Sequence, residues 1–223
     1  MSQPKQVALS WSSGKDSAWA LHLLRQSADV EVVALITSFN EAAGRVAMHA
    51  VRRELVERQA AAAGLPLWQV ELPWPCTNED YEARMADVFR RALAEKIDAV
   101  AFGDLFLEDI RAYREKQLAG TGLEPIFPVW RIPTAELARN MISAGLKAKL
   151  TCVDPSQLDR DFAGREFDAA LLRDLPASAD PCGENGEFHT FVHDAPVFAT
   201  PIAVKSGEIV ERGGFVFADV LPA

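Results

Sequence analysis

The chain has 223 residues, 49% of them hydrophobic and 25% charged, and its 23 basic against 32 acidic side chains leave a formal charge of −9. This balance excludes fibrous and disordered classes, allows one large or two small cores, and disfavours generic nucleic-acid binding, which needs clustered Lys and Arg. No window approaches the ~18 consecutive apolar residues of a membrane span. The polar stretch Met1 to Gln6 does not read as a secretory signal. With no export signal, Cys76, Cys152 and Cys182 read as reduced thiols, and a cytoplasmic protein without a membrane partner is expected.

Val7 to Trp11 reads as a buried strand, followed by a polar turn and a helix with Trp19, Leu23 and Leu24 on one face. Val30 to Thr37 reads as a second strand, and Met48 to Ala63 as a helix closed by Gly64 with Pro66 beyond it. Leu67 to Leu72 is a third strand. A helix from Asn78 to Glu95 places Tyr81, Met85, Val88, Phe89 and Leu93 near one stripe, and Ala99 to Gly103 is a fourth strand. This alternation predicts an α/β unit, a parallel sheet with helices on both faces, because parallel strands need crossovers.

The second half changes character. Helical patterns at Thr134 to Ala144, stopped by Gly145, and at Arg165 to Leu175 flank a strand at Ala148 to Val153. From Glu187 onward the pattern is strand and turn, broken at Ser206-Gly207 and Gly213-Gly214. The segment Gly120 to Pro125 interrupts both periods, so an α/β domain over residues 1–122 and a smaller α+β domain over 123–223 are expected.

Between the first strand and the first helix lies Ser10-Trp11-Ser12-Ser13-Gly14-Lys15-Asp16-Ser17. Free backbone N–H groups at a helix start, small residues and the mobile charge of Lys15 make an anion site, with phosphate as its natural guest. It is not the common P-loop, which needs a glycine where Leu9 stands and Ser or Thr where Asp16 stands. The plain structural alternative is a helix start capped by Ser12 or Ser13. Ser12 to Ser17 resembles the Ser-Gly-Gly-Lys-Asp-Ser loop of the ATP pyrophosphatases, which cleave ATP between the α and β phosphates; Ser13 stands at the first glycine. The resemblance implies an adenine nucleotide alpha hydrolase-like fold. It also implies ATP held by Ser10, Ser12, Ser13, Gly14, Lys15, Asp16, Ser17 and Thr37.

Phe102-Gly103-Asp104 follows at the carboxyl end of the fourth strand, where open α/β sheets bind ligands. Gly103 lets a nucleotide approach the backbone, and Asp104, with Asp16, is a candidate metal-side carboxylate for Mg²⁺; a strand end and helix cap is the alternative. Arg111, Arg114 and Glu115 stand at helical spacing that a solvated face explains, although Arg111 is also a candidate substrate contact.

Pro181-Cys182-Gly183-Glu184-Asn185-Gly186-Glu187-Phe188-His189-Thr190 is dense in reactive groups. It reads as a tight loop that aims polar groups at a bound molecule, or else as a plain surface turn. Together with the amino-terminal loop, it resembles the motif of the diphthine-ammonia ligase family, and the resemblance covers nearly the whole chain. The ligase branch reads Gly-Glu-Gly-Gly-Glu-Tyr-Glu-Thr; here Asn185 replaces a glycine and His189 the last glutamate, which is similar to a bacterial branch linked to cobalamin salvage. The resemblance implies adenylation of an acceptor carboxylate or amide, then amide formation with ammonia or another amine. In that scheme Lys15, Glu184, Glu187 and His189 are catalytic, while Arg111, Gly183, Asn185 and Gly186 hold the acceptor, a small molecule or protein-borne group. ATP and Mg²⁺ are the cofactors, nucleic acid is not an expected partner, and a homodimer is compatible with the scheme.

Four residues apart in a strand, His189 and His193 would lie about 13 Å from one another and cannot share an ion. His49 stands at a helix start after the second strand, near where a nucleotide would lie; solvent exposure is the preferred reading and a place beside the nucleotide the alternative. Without a Cys-x-x-Cys pair, Cys152 and Cys182 read as buried small hydrophobes; a thiouridylase-like sulfur transferase would instead require one of them and a basic RNA surface. A non-catalytic adenine-nucleotide sensor is the other alternative. Trp68, Trp74 and Trp130 read as core or loop anchors.

Overall fold

Ten elements alternate through the first half of the chain, for which a computed structural model describes residues 3–46 and 49–223. They are β1 (Lys5–Ser10), α1 (Lys15–Leu24), β2 (Val30–Asn40), β3 (Arg45–Val46), α2 (Arg53–Ala63), β4 (Leu67–Leu72), α3 (Asn78–Ala94), β5 (Ala99–Ala101), α4 (Glu108–Leu118) and β6 (Glu124–Ile126). The parallel strands pair in the order β4-β2-β1-β5-β6, with β3 antiparallel to the end of β2. Val7 and Leu9 of β1 enter the core on one face and Ala8 enters the core on the other, the period of a strand covered on both sides. Strand order reverses between β1 and β5, the place where doubly wound sheets open a crevice for a ligand.

The second half contains α5 (Thr134–Ser143), β7 (Lys147–Val153), a short 3-10 turn at Arg160–Phe162, α6 (Ala169–Asp174), β8 (Phe188–Asp194), β9 (Val204–Arg212) and β10 (Phe215–Pro222). Its four strands form an antiparallel sheet in the order β8-β7-β10-β9. One apolar cluster runs continuously from Val7 and Leu9 to Phe188, Phe191 and Val216, so the two sheets share a core. Polar stitches add to it: the Ser13 carbonyl accepts from the Val192 amide at 3.0 Å, and the Gln59 side-chain amide donates to the Ser13 and Val192 carbonyls at 3.0 and 2.7 Å.

Several expected boundaries move. The helix expected from Met48 begins at Arg53; Met48 itself lies outside the described residues. Before that helix, Ala50 takes a positive φ of 53°, and Arg45 and Arg52 both grip Asp219 of β10, at 2.8 and 2.5 Å. The helix expected from Arg165 begins at Ala169, because the backbone of Arg165 and Phe167 pairs with β7 at Leu150 and Ala148, and Asp168 then caps the helix by accepting from the Leu171 amide. Ser206-Gly207, expected to break the chain, lies inside β9, which pairs along β10 with one irregularity near Ala218 and Val220. β3 and β6, two and three residues long, are too short to carry a readable period. Of the three tryptophans, Trp68 is core, Trp130 half-buried and Trp74 exposed.

Candidate functional site

The loop after β1 leaves the start of α1 open. Gly14 is the N-cap residue and has no side chain of its own to cap the helix. Ser12 and Ser17 are used to shape the turn itself: the Ser12 hydroxyl accepts from the Gly14 amide at 3.3 Å, and the Ser17 hydroxyl donates to the Gly14 carbonyl at 2.9 Å. The Lys15 amide donates to the hydroxyl of Thr190 in β8 at 3.1 Å. Ser13, standing where the resembling loop has glycine, holds φ at 72°, a left-handed conformation that costs a Cβ-bearing residue about 1–2 kcal/mol. A helix start with a glycine N-cap and small neighbours is an anion site by its dipole and its remaining free amides.

This loop forms one wall of a cavity of about 240 Å³ at the reversal between β1 and β5. Ser10, Ser12, Lys15, Asp16 and Ser17 line it from the loop, Gly103, Asp104 and Arg114 from the other side of the crevice, and Gly183, Glu184 and His189 from the second half. A methyl group added at Gly103 would lie 3.1 Å from the Ser17 nitrogen and the Asp16 carbonyl carbon, so the end of β5 abuts the start of α1.

Lys15 is 2% exposed, with its ammonium 2.9 Å from Asp16 Oδ2 and within 5.7 Å of the centroids of the Phe167 and Phe188 rings. Burial works against that charge, but Asp16 first, then Cys182 and Glu184, together outweigh burial and hold Lys15 above the ordinary lysine value. Burial pushes the carboxyls of Asp16 and Asp104 upward, against the pull of Lys15 and of Arg114 respectively. Asp16 Oδ1 and Asp104 Oδ2 are buried without hydrogen-bond partners. Mg²⁺ is commonly held by one or two carboxylates together with substrate phosphates and water, so these two orphaned oxygens beside an anion site fit it. Among the described residues no cluster of three or more His, Cys, Asp or Glu forms a self-sufficient metal site.

The turn before β8 supplies the opposite wall. Gly183 has φ of 68°, and a methyl group there would meet the Phe188 carbonyl oxygen at 2.7 Å, so only glycine fits. Glu184 Oε1 accepts from the Leu105 amide at 2.8 Å, and burial, against the stabilising amide, raises its carboxyl to about 7. Glu187 has a different position from the one expected of a catalytic group. It is buried, and its oxygens accept from the Asp180 amide at 2.7 Å, the Asn185 amide at 3.0 Å and the Asn185 side chain at 3.1 Å. Glu187, Asn185 and Gly186 therefore build the turn and do not line the cavity.

Two more expected contacts lie elsewhere. The Thr37 hydroxyl is buried and donates to the Trp11 carbonyl at 2.7 Å, bracing the loop from behind. Arg111 pairs with Glu115 at 2.8 Å and stacks on Phe127 and Trp130, outside the cavity lining. Arg114, three residues along α4, is the arginine that faces the cavity. The spacing of Arg111, Arg114 and Glu115 marks a helix but does not tell which arginine turns inward.

His49 overturns its solvent-exposed reading. It lines the cavity, and its ring packs against that of His189 with centroids 4.7 Å apart and planes tilted by 35°. Its Nδ1 lies 3.1 Å from the Thr190 carbonyl, which can only accept, so Nδ1 carries the proton and Nε2 the lone pair. Burial lowers His49 to about 4 and, with His49 beside it, lowers His189 to about 3, leaving a neutral imidazole pair at neutral pH. The available signal for His49 was positional: it follows the carboxyl end of a parallel strand, on the ligand side of the sheet. Cys152 and Cys182 are buried, and burial raises Cys152 to about 12 and Cys182 higher, far from the thiolate that sulfur transfer requires.

Comparison with known proteins agrees with this two-part construction. Residues 5–125 match the diphthamide synthase N-terminal domain and residues 133–219 the diphthamide synthase C-terminal domain. A diphthine–ammonia ligase of Danio rerio is 29% identical over 94% of this chain and 90% of its own length. The human diphthine–ammonia ligase is 30% identical over 56% of this chain, and the match spans about half (49%) of that relative. Among solved structures, a U34-tRNA thiolase from Methanococcus maripaludis aligns over 59% of this chain and 54% of its own, at 18% identity and a TM-score of 0.37.

Proposed function

Because the chain belongs to the diphthamide synthase family, we propose that it is an ATP-dependent, AMP-forming ligase that joins ammonia or another amine to an acceptor carboxylate or amide. The observation that carries this reading is the cavity itself. A helix start with a glycine N-cap on one side faces a glycine-shaped turn with a carboxyl titrating near 7 on the other, and Glu184 bonds that turn to the segment after β5 at Leu105.

In this reading ATP lies across the reversal between β1 and β5, with its pyrophosphate end on the amides of the Ser12 to Ser17 loop. An acceptor oxygen attacks the α-phosphorus, the bond between that phosphorus and the bridging oxygen breaks, and pyrophosphate leaves into the amide-lined loop beside Lys15. The nitrogen lone pair then attacks the activated carbon, the C–O bond breaks and AMP leaves with its electron pair. The excess proton on nitrogen passes to the Glu184 carboxylate, which a value near 7 suits to accept a proton at neutral pH. Mg²⁺, held by Asp16 and Asp104 when bound, supplies charge neutralisation at the phosphate oxygens. Phosphoryl chemistry of this kind is mostly positioning and charge stabilisation.

Residues 1–122 would carry ATP and residues 123–223 the acceptor side. Diphthine is a weaker candidate for that acceptor here, because His189 stands where the ligase-branch motif has glutamate, and the wall it shares with His49 is a neutral imidazole pair. The test is product analysis with purified protein, ATP, Mg²⁺, ammonium and a panel of carboxylate acceptors that includes diphthine. AMP and pyrophosphate formed only when acceptor and amine are both present support the reading. ADP as product, or AMP formation indifferent to both, overturns it.

A further inference from the structure

We propose that Arg114 is the second phosphate-binding cation of the cavity, contacting the pyrophosphate portion of bound ATP; this rests on the ATP reading above. Among the described residues that line the cavity, the lysines and arginines are Lys15 and Arg114, set against the carboxyls of Asp16, Asp104 and Glu184. Lys15 is already matched: its ammonium bonds Asp16 at 2.9 Å and sits enclosed by the Phe167 and Phe188 rings. A polyphosphate entering this cavity needs positive charge, and Arg114, whose ion pair with Asp104 is the looser one at 3.7 Å, is the more available cation.

The guanidinium is positioned but not satisfied. One of its terminal nitrogens donates to the Tyr81 hydroxyl at 3.2 Å, and the group lies 5.1 Å from the Phe102 ring centroid. Its Nε is 3.7 Å from Asp104 Oδ2, beyond hydrogen-bond length, and both atoms are buried without a hydrogen-bond partner. Two opposite charges that stop short of bonding, in a cavity built for an anion, are poised for a third party. The close approach of Gly103 to the Ser17 nitrogen places this pair beside the start of α1, at the phosphate end of the site. A planar guanidinium fork on a helix matches two phosphate oxygens, which a lysine at the same position could not do.

Titration calorimetry of the full chain with Mg²⁺-ATP, Mg²⁺-pyrophosphate and AMP tests this. Arg114→Gln is expected to weaken ATP and pyrophosphate binding by about tenfold to a hundredfold while AMP changes by less than about threefold. Arg114→Lys, which keeps the charge and loses the fork, is expected to fall between. Equal loss for ATP and AMP assigns Arg114 a structural role and overturns the proposal, as does unchanged ATP binding. If circular dichroism shows Arg114→Gln unfolded, Arg114→Lys decides by the same comparison. Failure of the unaltered protein to bind ATP overturns the ATP reading together with this proposal, whereas normal ATP binding by the variants overturns this proposal alone.

Discussion

Glu184 accepts a hydrogen bond from the Leu105 amide at 2.8 Å, a contact between residues 79 apart in sequence that joins the carboxy-terminal turn to the segment after β5. The bond fixes the carboxyl over the crevice, and burial there raises it to about 7. With the Lys15 amide bonded to Thr190, it is one of the points at which the two sheets jointly define a site.

A first prediction concerns that carboxyl. Glu184→Gln keeps the oxygen that accepts from Leu105 and removes the titration, so the rising limb of the pH–rate profile near pH 7 should flatten with a loss of about a hundredfold in turnover. Stability carries the opposite sign to the usual carboxylate. The folded-state value lies above 4.5, so the folded chain binds the proton more tightly, and the contribution present below that pH is lost as pH rises through about 7. Urea unfolding at pH 5 and pH 8 should therefore show the variant gaining on the unaltered protein at the higher pH.

Lys15→Ala should lower AMP production by at least about a hundredfold, since it removes the cation nearest the amide-lined loop. Far-UV circular dichroism should remain native in shape. Near-normal turnover would remove Lys15 from the chemistry.

The imidazole pair gives an acid-side signature. Burial holds His49 at about 4 and His189 at about 3, both below the ordinary 6.5, so the unfolded chain takes up protons first. Their contribution is intact above about pH 6.5 and is lost as pH falls towards 4 and then 3. His189→Glu should alter acceptor selection while the KM for ATP stays within about threefold; equal loss in both would make His189 structural. Denaturation midpoints at pH 5 and 7 should also converge in His189→Phe, which cannot titrate.

Gly183→Ala should destabilise by about 2 kcal/mol or more, because it combines a left-handed backbone with a methyl group placed against a carbonyl oxygen. A urea midpoint unchanged from the parent would show that the turn before β8 relaxes freely.

Asp219→Asn should loosen the grip on Arg45 and Arg52, which bracket the segment carrying His49. The two arginines hold the Asp219 carboxyl at about 2 against its burial, so its contribution is present above 3.8 and lost only as pH falls through about 2. A loss of about 1–3 kcal/mol at neutral pH is expected by chemical unfolding.

Local order along the chain is enough to recover the α/β alternation, the helix stop at Gly64, the loop after the first strand and the dense turn from Gly183 that leads into β8. Each of these depends on period, on a cap or on residue chemistry within about ten positions, and that is what sequence by itself determines. Which side chains face the cavity depends on rotation and on contacts made far away in the chain. Two residues of helix separate Arg111, stacked on Phe127 and Trp130, from Arg114 in the crevice. Glu184 and Glu187 look equivalent in a row of letters, yet one reaches across to Leu105 and the other folds back on Asp180 and Asn185. His49 meets the site through the Thr190 carbonyl, 141 residues further along the chain. The tertiary structure decided these assignments because burial, hydrogen-bond pairing and charge neutralisation belong to positions in space, and neighbours in sequence do not share them.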